Sequence, residues 1–278
     1  DVFSMTSLKL YRSYPTADGK AFELVPELAS AEPEQTDSEG KVWKIALREN
    51  AKWQNGDAIN ADDVIYSYQM CLDPKLVNNR ASQLASDYIT ITKATDYYLQ
   101  GDANTVSWDE VGIKKLDDYA IELNLDAPVT AIDIKNHFDY AWTCLVHKAT
   151  YDGNMNADKT TTTYGSSLDK YMSCGAFILK EWVPGSQFNY EKNPDYVLAD
   201  KIKLEGYNYK IVGDRNTALE LYLNGDLDVV SLSPEAIEQY IDDPSIKMAP
   251  ASSIQTLTIN HQNTDNNNIL GNINFRKA

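Results

Sequence analysis

The chain has 278 residues, of which 43% are hydrophobic and 24% are charged, and it carries a formal net charge of −16. This length is typical of about two domains, and the composition is that of an ordinary globular protein with a sizeable core. The acidic balance excludes nucleic acid or an anionic membrane as the expected partner, because both bind positively charged surfaces. The scattered acidic residues favour a solubilising surface instead.

Two further signals are missing from the sequence. No apolar run approaches the roughly 20 residues that a membrane helix needs. Residues 1–4 do not begin a basic region followed by an apolar stretch, so we expect no signal peptide in this chain.

The first half of the chain predicts strands joined by turns. Segment 41–48 predicts a half-buried strand, because its hydrophobic residues recur at every second position. The following turn at 54–57 contains Asn-Gly, which tolerates positive φ. Segment 120–125 shows the same alternation and is expected to pair with 111–116. Two further elements are predicted downstream, a helix at 131–140 and a short strand at 144–147.

A helix is predicted to begin after Asn60. Asparagine is a good N-cap, and Asp62 and Asp63 lie in the first turn, where the helix dipole favours negative charge. Hydrophobic side chains then recur at helical spacing on one face, and Asp73-Pro74 ends the helix. The residues on that face are Val64, Tyr68, Cys71 and Leu72.

The second half of the chain repeats the alternation after a polar loop at 152–167. Strands at 176–183 and 188–191, separated by Pro-Gly, predict a hairpin. From 203 to 259 the predicted order is strand, helix, strand, helix, strand, which indicates an α/β layer with some parallel pairing. The elements of that region are strand 203–212, a helix capped by Asp214 and closed by Asn224-Gly225, strand 227–232, a helix capped by Ser233 with Pro234 at its first position, strand 254–259, and the start of a last helix at 272–278.

No motif of catalysis or nucleotide binding occurs in the sequence, neither a phosphate loop nor a nucleophile elbow. His137, His147 and His261 are far apart and show no zinc-type spacing, so a structural or surface role is favoured for each. The adjacent carboxylates are predicted to cap helices and close turns, because neighbouring residues do not face each other across a cleft. These pairs are Asp62-Asp63, Asp117-Asp118 and Asp242-Asp243.

The chain has three cysteines, an odd number that fits no complete disulfide framework. One pair could form in an oxidising compartment, and Cys144 with Cys174 is the favoured pair. The sequence does not show that these two residues meet in space. Cys71 lies in a predicted helix and is expected to be a buried, free thiol.

Several stretches resemble the extracytoplasmic solute-binding proteins of ABC importers, family 5, which bind peptides and nickel, and most closely the oligopeptide-binding branch. The longest match runs through 41–57 into 61–68: a strand with Leu-Arg, an amphipathic Trp, a Gly turn, and a helix opened by Thr-Ala-x-Asp, where Asn60 replaces the family's threonine. Shorter matches follow in the family's order. They are 174–185 with 191–196, then 224–228, then 259–260 with 275–278.

The resemblance implies a partial type II periplasmic-binding-protein-like fold of the mixed α/β (α+β) class. Residues 1–150 would form the extra lobe and 151–278 the middle segment of the hinge-bearing lobe. The second large lobe, expected after Ala278, and a segment before Asp1 would be absent. In such proteins a peptide is enclosed between lobes through backbone hydrogen bonds and wet pockets, and the lobes close by a hinge. The implied ligand contacts are Val230, Ser231, Leu232, Thr256, Thr258 and Leu84.

The implied function is capture of oligopeptides for a membrane permease, by a bacterial periplasmic protein or cell-surface lipoprotein. This protein would be a monomer without enzymatic activity, metal or cofactor. One alternative keeps the family and changes the ligand to a dipeptide, nickel complex, haem or oligosaccharide. A secreted hydrolase, or an adhesion or sensing protein on the same scaffold, is a further alternative, because fold does not fix function.

Overall fold

A computed structural model of the chain describes residues 2–248, 259–260, 262 and 265–277. Short helices and strands alternate through these ranges. The strands are β1 (Tyr11–Pro15), β2 (Phe22–Pro26), β3 (Glu34–Gln35), β4 (Val42–Ala46), β5 (Ile113–Asp117), β6 (Ala120–Asn124), β7 (Phe177–Val183), β8 (Gln187–Lys192) and β9 (Gly206–Lys210). The helices are α1 (Val2–Thr6), α2 (Ala61–Leu72), α3 (Ala81–Ser86), α4 (Ala94–Tyr98), α5 (Ala131–His137), α6 (Lys148–Gly153), α7 (Arg215–Leu223), α8 (Pro234–Tyr240) and α9 (Ile273–Lys277). None of the helices in these ranges has the length and apolar character needed to cross a membrane.

The described strands form three sheets. β1 and β2 make a hairpin, β3-β4-β6-β5 form a four-stranded sheet, and β7-β8-β9 form a three-stranded sheet. Every pair is antiparallel. The parallel pairing predicted for 203–259 is therefore not found among the described strands, because β9 pairs antiparallel with β8, from Gln187 opposite Lys210 to Glu191 opposite Gly206.

Helix α2 and the four-stranded sheet confirm the helix predicted after Asn60 and the strands predicted at 41–48, 111–116 and 120–125. The Asn60 side chain accepts from the Asp62 N–H at 2.8 Å, and the Asp63 carboxylate accepts from the Asn60 N–H at 2.9 Å. These reciprocal bonds satisfy donors that the first helical turn leaves free. In β4, Trp43 and Ile45 lie opposite Leu123 and Ile121 of β6, all four buried. The predicted apolar face of α2, Val64, Tyr68, Cys71 and Leu72, is also buried.

Two predicted strands are wrong. At 144–147 the backbone is satisfied by single bonds: Leu145 N–H donates to the Leu8 carbonyl at 3.3 Å, and Val146 N–H to the Ser67 hydroxyl at 2.9 Å. Segment 227–232 forms no strand either. An apolar alternation becomes a strand only where a neighbouring strand supplies a ladder of hydrogen bonds. The predicted strand at 254–259 lies outside the described residues except for Ile259 and stays a prediction.

The three thiols are free, so the disulfide favoured between Cys144 and Cys174 is not formed. The Cys174 sulfur instead accepts a hydrogen bond from the Leu8 N–H at 3.3 Å. Burial raises the pKa of Cys144 to about 11 and that of Cys71 to about 12. Both thiols are therefore protonated and unreactive at neutral pH.

Packing joins the two predicted halves of the chain. The N–H groups of Cys174 and Gly175 both donate to the Thr6 carbonyl at 2.8 Å, and the Gln54 N–H donates to the Ser173 carbonyl at 2.9 Å. One hydrophobic core includes β4 and α2 as well as Phe177 and other residues of β7 and β8. The lobe boundary predicted at residue 150 stays a prediction, and side chains from both sides of it share this core.

The close approach at Gly175 gives a first testable prediction. A Cβ at this position would lie 2.7 Å from the Ser7 nitrogen and 2.8 Å from the Met5 carbonyl oxygen. Because backbone atoms cannot move aside cheaply, Gly175→Ala should lower the free energy of unfolding by about 1–3 kcal/mol, measured by urea unfolding. Gly153→Ala, with no atom within 4 Å of the added Cβ, is the matched control and should cost nothing. Equal effects of the two substitutions would contradict this reading of the contact.

Candidate ligand-binding surface

Segment 227–232, which contains the predicted ligand contacts Val230, Ser231 and Leu232, is held at both ends. Before it, Gly225 adopts a positive φ of 82° and turns the chain after α7, and the Asp226 carbonyl accepts from the Lys210 ammonium at 3.2 Å. After it, the Ser233 hydroxyl caps α8 by accepting from the Ala236 N–H at 3.3 Å. The caps at Asp214 and Ser233 and the Asn-Gly turn confirm the local predictions there.

The backbone of Val230, Ser231 and Leu232 makes no hydrogen bond to any other described residue. Ser231 is exposed, Val230 and Leu232 are half-buried, and the neighbouring Val229 is 83% exposed. Backbone N–H and carbonyl groups that lack protein partners can pair with an extended peptide, as in strand addition. Among the described residues, segment 230–232 thus has three backbone donors and three acceptors without a protein partner, beside the exposed apolar Val229.

The other predicted contacts lie elsewhere or outside the described part of the chain. Leu84, in α3, is fully buried, and its carbonyl accepts from the His137 ring nitrogen Nε2 at 3.1 Å. Its side chain thus lies in the core. Thr256 and Thr258 lie outside the described residues. Ligand contact by all six predicted residues stays a prediction.

An open cleft of about 420 Å³ lies between the turn before α2 and the start of α6. Trp53 and His147 meet edge to face in it, with ring centroids 5.1 Å apart, and His147 Nε2 lies 3.7 Å from the Asp57 carboxylate. Burial raises the pKa of Asp63 despite its hydrogen bonds from Asn60 and Trp53. The cleft is lined by carboxylates, one imidazole and one ammonium group, and each carboxylate already accepts a hydrogen bond from another group of the protein.

The predicted capping and turn roles are found for Asp63, Asp117 and Asp243, whereas Asp62 and Asp118 each form an ion pair that was not predicted. Asp62 and Asp118 both contact the Lys115 ammonium, at 2.7 and 2.9 Å, and Asp243 accepts from the N–H and hydroxyl of Ser245. Asp117 accepts from the N–H of Tyr119 at 2.8 Å. Within the described ranges, no group of three histidine, cysteine or acidic side chains is placed to hold a metal ion.

A buried ionic network lies under the β1-β2 hairpin. Glu27 is fully buried, and its Oε1 accepts from Arg12 Nε at 2.5 Å and from the Tyr196 hydroxyl at 2.5 Å. Its Oε2 accepts from the Lys9 N–H at 2.9 Å. Arg12 donates further to the carbonyls of Ser4 and Ser7. The network fixes α1, the hairpin and the segment after β8 relative to one another.

Charge balance explains how the Arg12 guanidinium stays charged inside the core. Burial alone would lower the pKa of Arg12. The negative charge of Glu27 and its hydrogen bond to Arg12 raise this pKa by more than burial lowers it, so the net shift is upward. Burial and Glu27 likewise raise the pKa of Tyr196. Sequence reasoning missed this network. The one available signal was a single glutamate inside the apolar run 24–29.

The chain matches the family "Bacterial extracellular solute-binding proteins, family 5 Middle" over residues 23–278. The chain therefore belongs to family 5 of the bacterial extracellular solute-binding proteins, and the resemblance inferred from the sequence is confirmed.

Two curated relatives are similar to this chain over most of its length. The dipeptide-binding protein DppE of Bacillus subtilis is 27% identical over 246 residues, which is 88% of this chain and 42% of DppE. The oligopeptide-binding protein OppA of the same organism is 27% identical over 94% of this chain and 44% of its own length. The chain thus spans less than half the length of these curated relatives.

Solved structures confirm the mixed α/β fold of the type II binding proteins. Listeria monocytogenes OppA bound to peptide aligns with a TM-score of 0.72 and 27% identity, covering 87% of this chain and 44% of that one. The pheromone receptor PrgZ aligns with a TM-score of 0.79 over 99% of this chain and 50% of that one, at 22% identity, and so shows the fold alone.

Proposed function

We propose that the protein carrying this chain binds oligopeptides outside the cytoplasmic membrane and delivers them to the permease of a bacterial ABC importer. The observation that carries this proposal is the likeness to the Listeria OppA bound to peptide, at 27% identity over 87% of the chain. Relatives named for dipeptide and oligopeptide binding support it at the level of the family.

The proposed mode of binding is main-chain capture. Segment 230–232 would pair its backbone N–H and carbonyl groups with the peptide, which gives affinity without a demand on peptide sequence. Water between the protein and the peptide's side chains would adapt to their size and polarity. Thr256 and Thr258 are proposed to line the same site in the ligand-bound protein.

The organisation of the protein is part of the proposal. Residues 1–150 would belong to the extra lobe and 151–278 to the hinge-bearing lobe, and binding would close the lobes around the hinge. The protein would act as a monomer anchored or retained outside the membrane, and it would release the peptide unchanged. The described carboxylates do not support the hydrolase alternative. In the three adjacent pairs, the carboxylates that form bonds cap a helix, close a turn or pair with a lysine.

Mass spectrometry of the full-length protein tests the ligand class. The protein is purified natively and then denatured to release what it holds. Short peptides of mixed sequence would support oligopeptide capture, and peptides of two residues only would favour the dipeptide alternative. A single non-peptide species would overturn the proposal.

Proline at position 231 tests the main-chain contact. Ser231→Pro removes the backbone N–H without altering a described hydrogen bond of the free protein. We expect peptide affinity to fall about 3–10-fold, the value of one hydrogen bond, when measured by calorimetry on the full-length protein. Ser231→Ala keeps the N–H and should bind like the wild type. A proline variant with unchanged affinity would show that this segment does not hold the peptide.

A further inference from the structure

Region 204–241 forms a strand and two helices but adds almost nothing to the core. Among the described residues from 203 to 248, Ala236 is the only apolar residue that is buried. None of the nine residues of α7 is buried. A short helix in a protein is stabilised mainly by packing one face against a neighbour. The described part of the chain does not supply a neighbour that buries α7.

Large apolar side chains of this region face solvent instead. Six of them are between 43% and 83% exposed. Exposed apolar residues that are scattered singly over a protein are ordinary, but here they occur in a region that buries almost none, which indicates a surface that another part of a protein covers. The six residues are Leu204, Tyr209, Ile211, Leu223, Val229 and Ile241.

The backbone of β9 has an unpaired edge in the same region. Among the described strands, β9 is the last of its sheet, and just beyond it the Ile211 N–H donates to the Ser186 carbonyl at 2.7 Å. Directly bonded pairs alternate along an antiparallel ladder, so Gly206, Asn208 and Lys210 direct their N–H and carbonyl groups away from β8. Such an edge readily pairs with a further strand.

We propose that region 204–241 is an interface with the part of the full-length protein that lies outside this chain, and that this part adds a strand to the open edge of β9. The chain spans 42% of DppE and 44% of OppA of Bacillus subtilis, so a protein built like these relatives has more than half of its length available for the contact. A short bound peptide would reach only a few of the six side chains. The interface goes beyond the proposed function and does not depend on which ligand the protein binds.

Two equally exposed valines provide a matched test of the interface. Val77 and Val229 are each 83% exposed in this chain. Val77→Cys and Val229→Cys are made separately in the full-length protein without ligand, and mass spectrometry follows modification of the new thiol by a maleimide. We expect Val229→Cys to react at least about 100-fold more slowly than Val77→Cys, because a covered thiol reacts only after local opening. Both variants should react rapidly in urea. Rapid reaction of both in the folded protein would overturn the interface.

Photochemical cross-linking identifies what covers the region. Replacing Tyr209 by p-benzoylphenylalanine places a photoreactive ring on β9 of the full-length protein, and mass spectrometry locates the cross-linked residues. Cross-links to residues outside this chain would support the interface. Cross-links only to a second copy of the protein would overturn it, and so would protection of Val229→Cys that appears only when a peptide is added. Neither result would depend on whether the protein captures peptides.

Discussion

Glu27→Gln is expected to lower the free energy of unfolding by about 3–5 kcal/mol, because it removes the only carboxylate bonded to the buried Arg12 guanidinium in the described part of the chain. The two side chains are 0% and 13% exposed, so water cannot replace the lost partner. The Tyr196 hydroxyl and the Lys9 N–H also lose a charged acceptor. A loss of this size is a large part of the stability of an ordinary domain.

A surface pair and a double variant make the comparison specific. Glu39 pairs with Lys41 at 2.9 Å, but the side chains are 66% and 36% exposed, so Glu39→Gln should leave urea unfolding nearly unchanged. Arg12→Met combined with Glu27→Gln should be more stable than Glu27→Gln alone, because the uncompensated charge is then gone. Equal losses for Glu27→Gln and Glu39→Gln, or a double variant no more stable than Glu27→Gln, would contradict the stabilising role of this network.

His137 should make the protein lose stability on acidification. It is fully buried, its Nε2–H donates to the Leu84 carbonyl, and its Nδ1 has no partner among the described residues. Burial lowers the pKa of His137 from 6.5 to about 4. The unfolded chain therefore takes up a proton between those two pH values while the folded chain does not. The stabilising contribution is complete above pH 6.5 and is lost as the pH falls to about 4.

His137→Gln removes this titration and should flatten the acid limb of the stability curve. From the two pKa values, wild type should lose about 2–3 kcal/mol more than the variant between pH 7.5 and 4.5. The measurement is urea unfolding at both pH values. Asn136→Gln, on the same helix, changes no titratable group and should keep the wild-type slope. Parallel slopes for wild type and His137→Gln would show that His137 does not carry this acid sensitivity.

Much of the fold could be predicted from the sequence where one local rule decides the structure. The strand at 41–48 follows from alternation, and α2 from the cap at Asn60 and the acids that follow it. The 176–191 hairpin follows from two alternating runs and a Pro-Gly turn. In each case the signals for the element lie within one segment of at most 16 residues.

The rest depends on contacts between distant segments. The alternation at 227–232 favours a strand. A strand forms only if a neighbouring strand pairs with it, and the local sequence does not show whether such a neighbour is present. The Glu27 network joins residues 169 positions apart, and the stacked rings of Tyr88 and Tyr140 are 52 positions apart. The abundance of tyrosine was visible in the composition, but these two rings meet only in the folded chain.

The most direct test of peptide capture is calorimetric titration of the full-length protein, cleared of bound ligand, with a tetrapeptide and separately with its free amino acids. Main-chain capture predicts saturable heat with the peptide and none with the amino acids, because only the peptide presents consecutive backbone groups to segment 230–232. No heat with peptides of two to five residues would contradict the account.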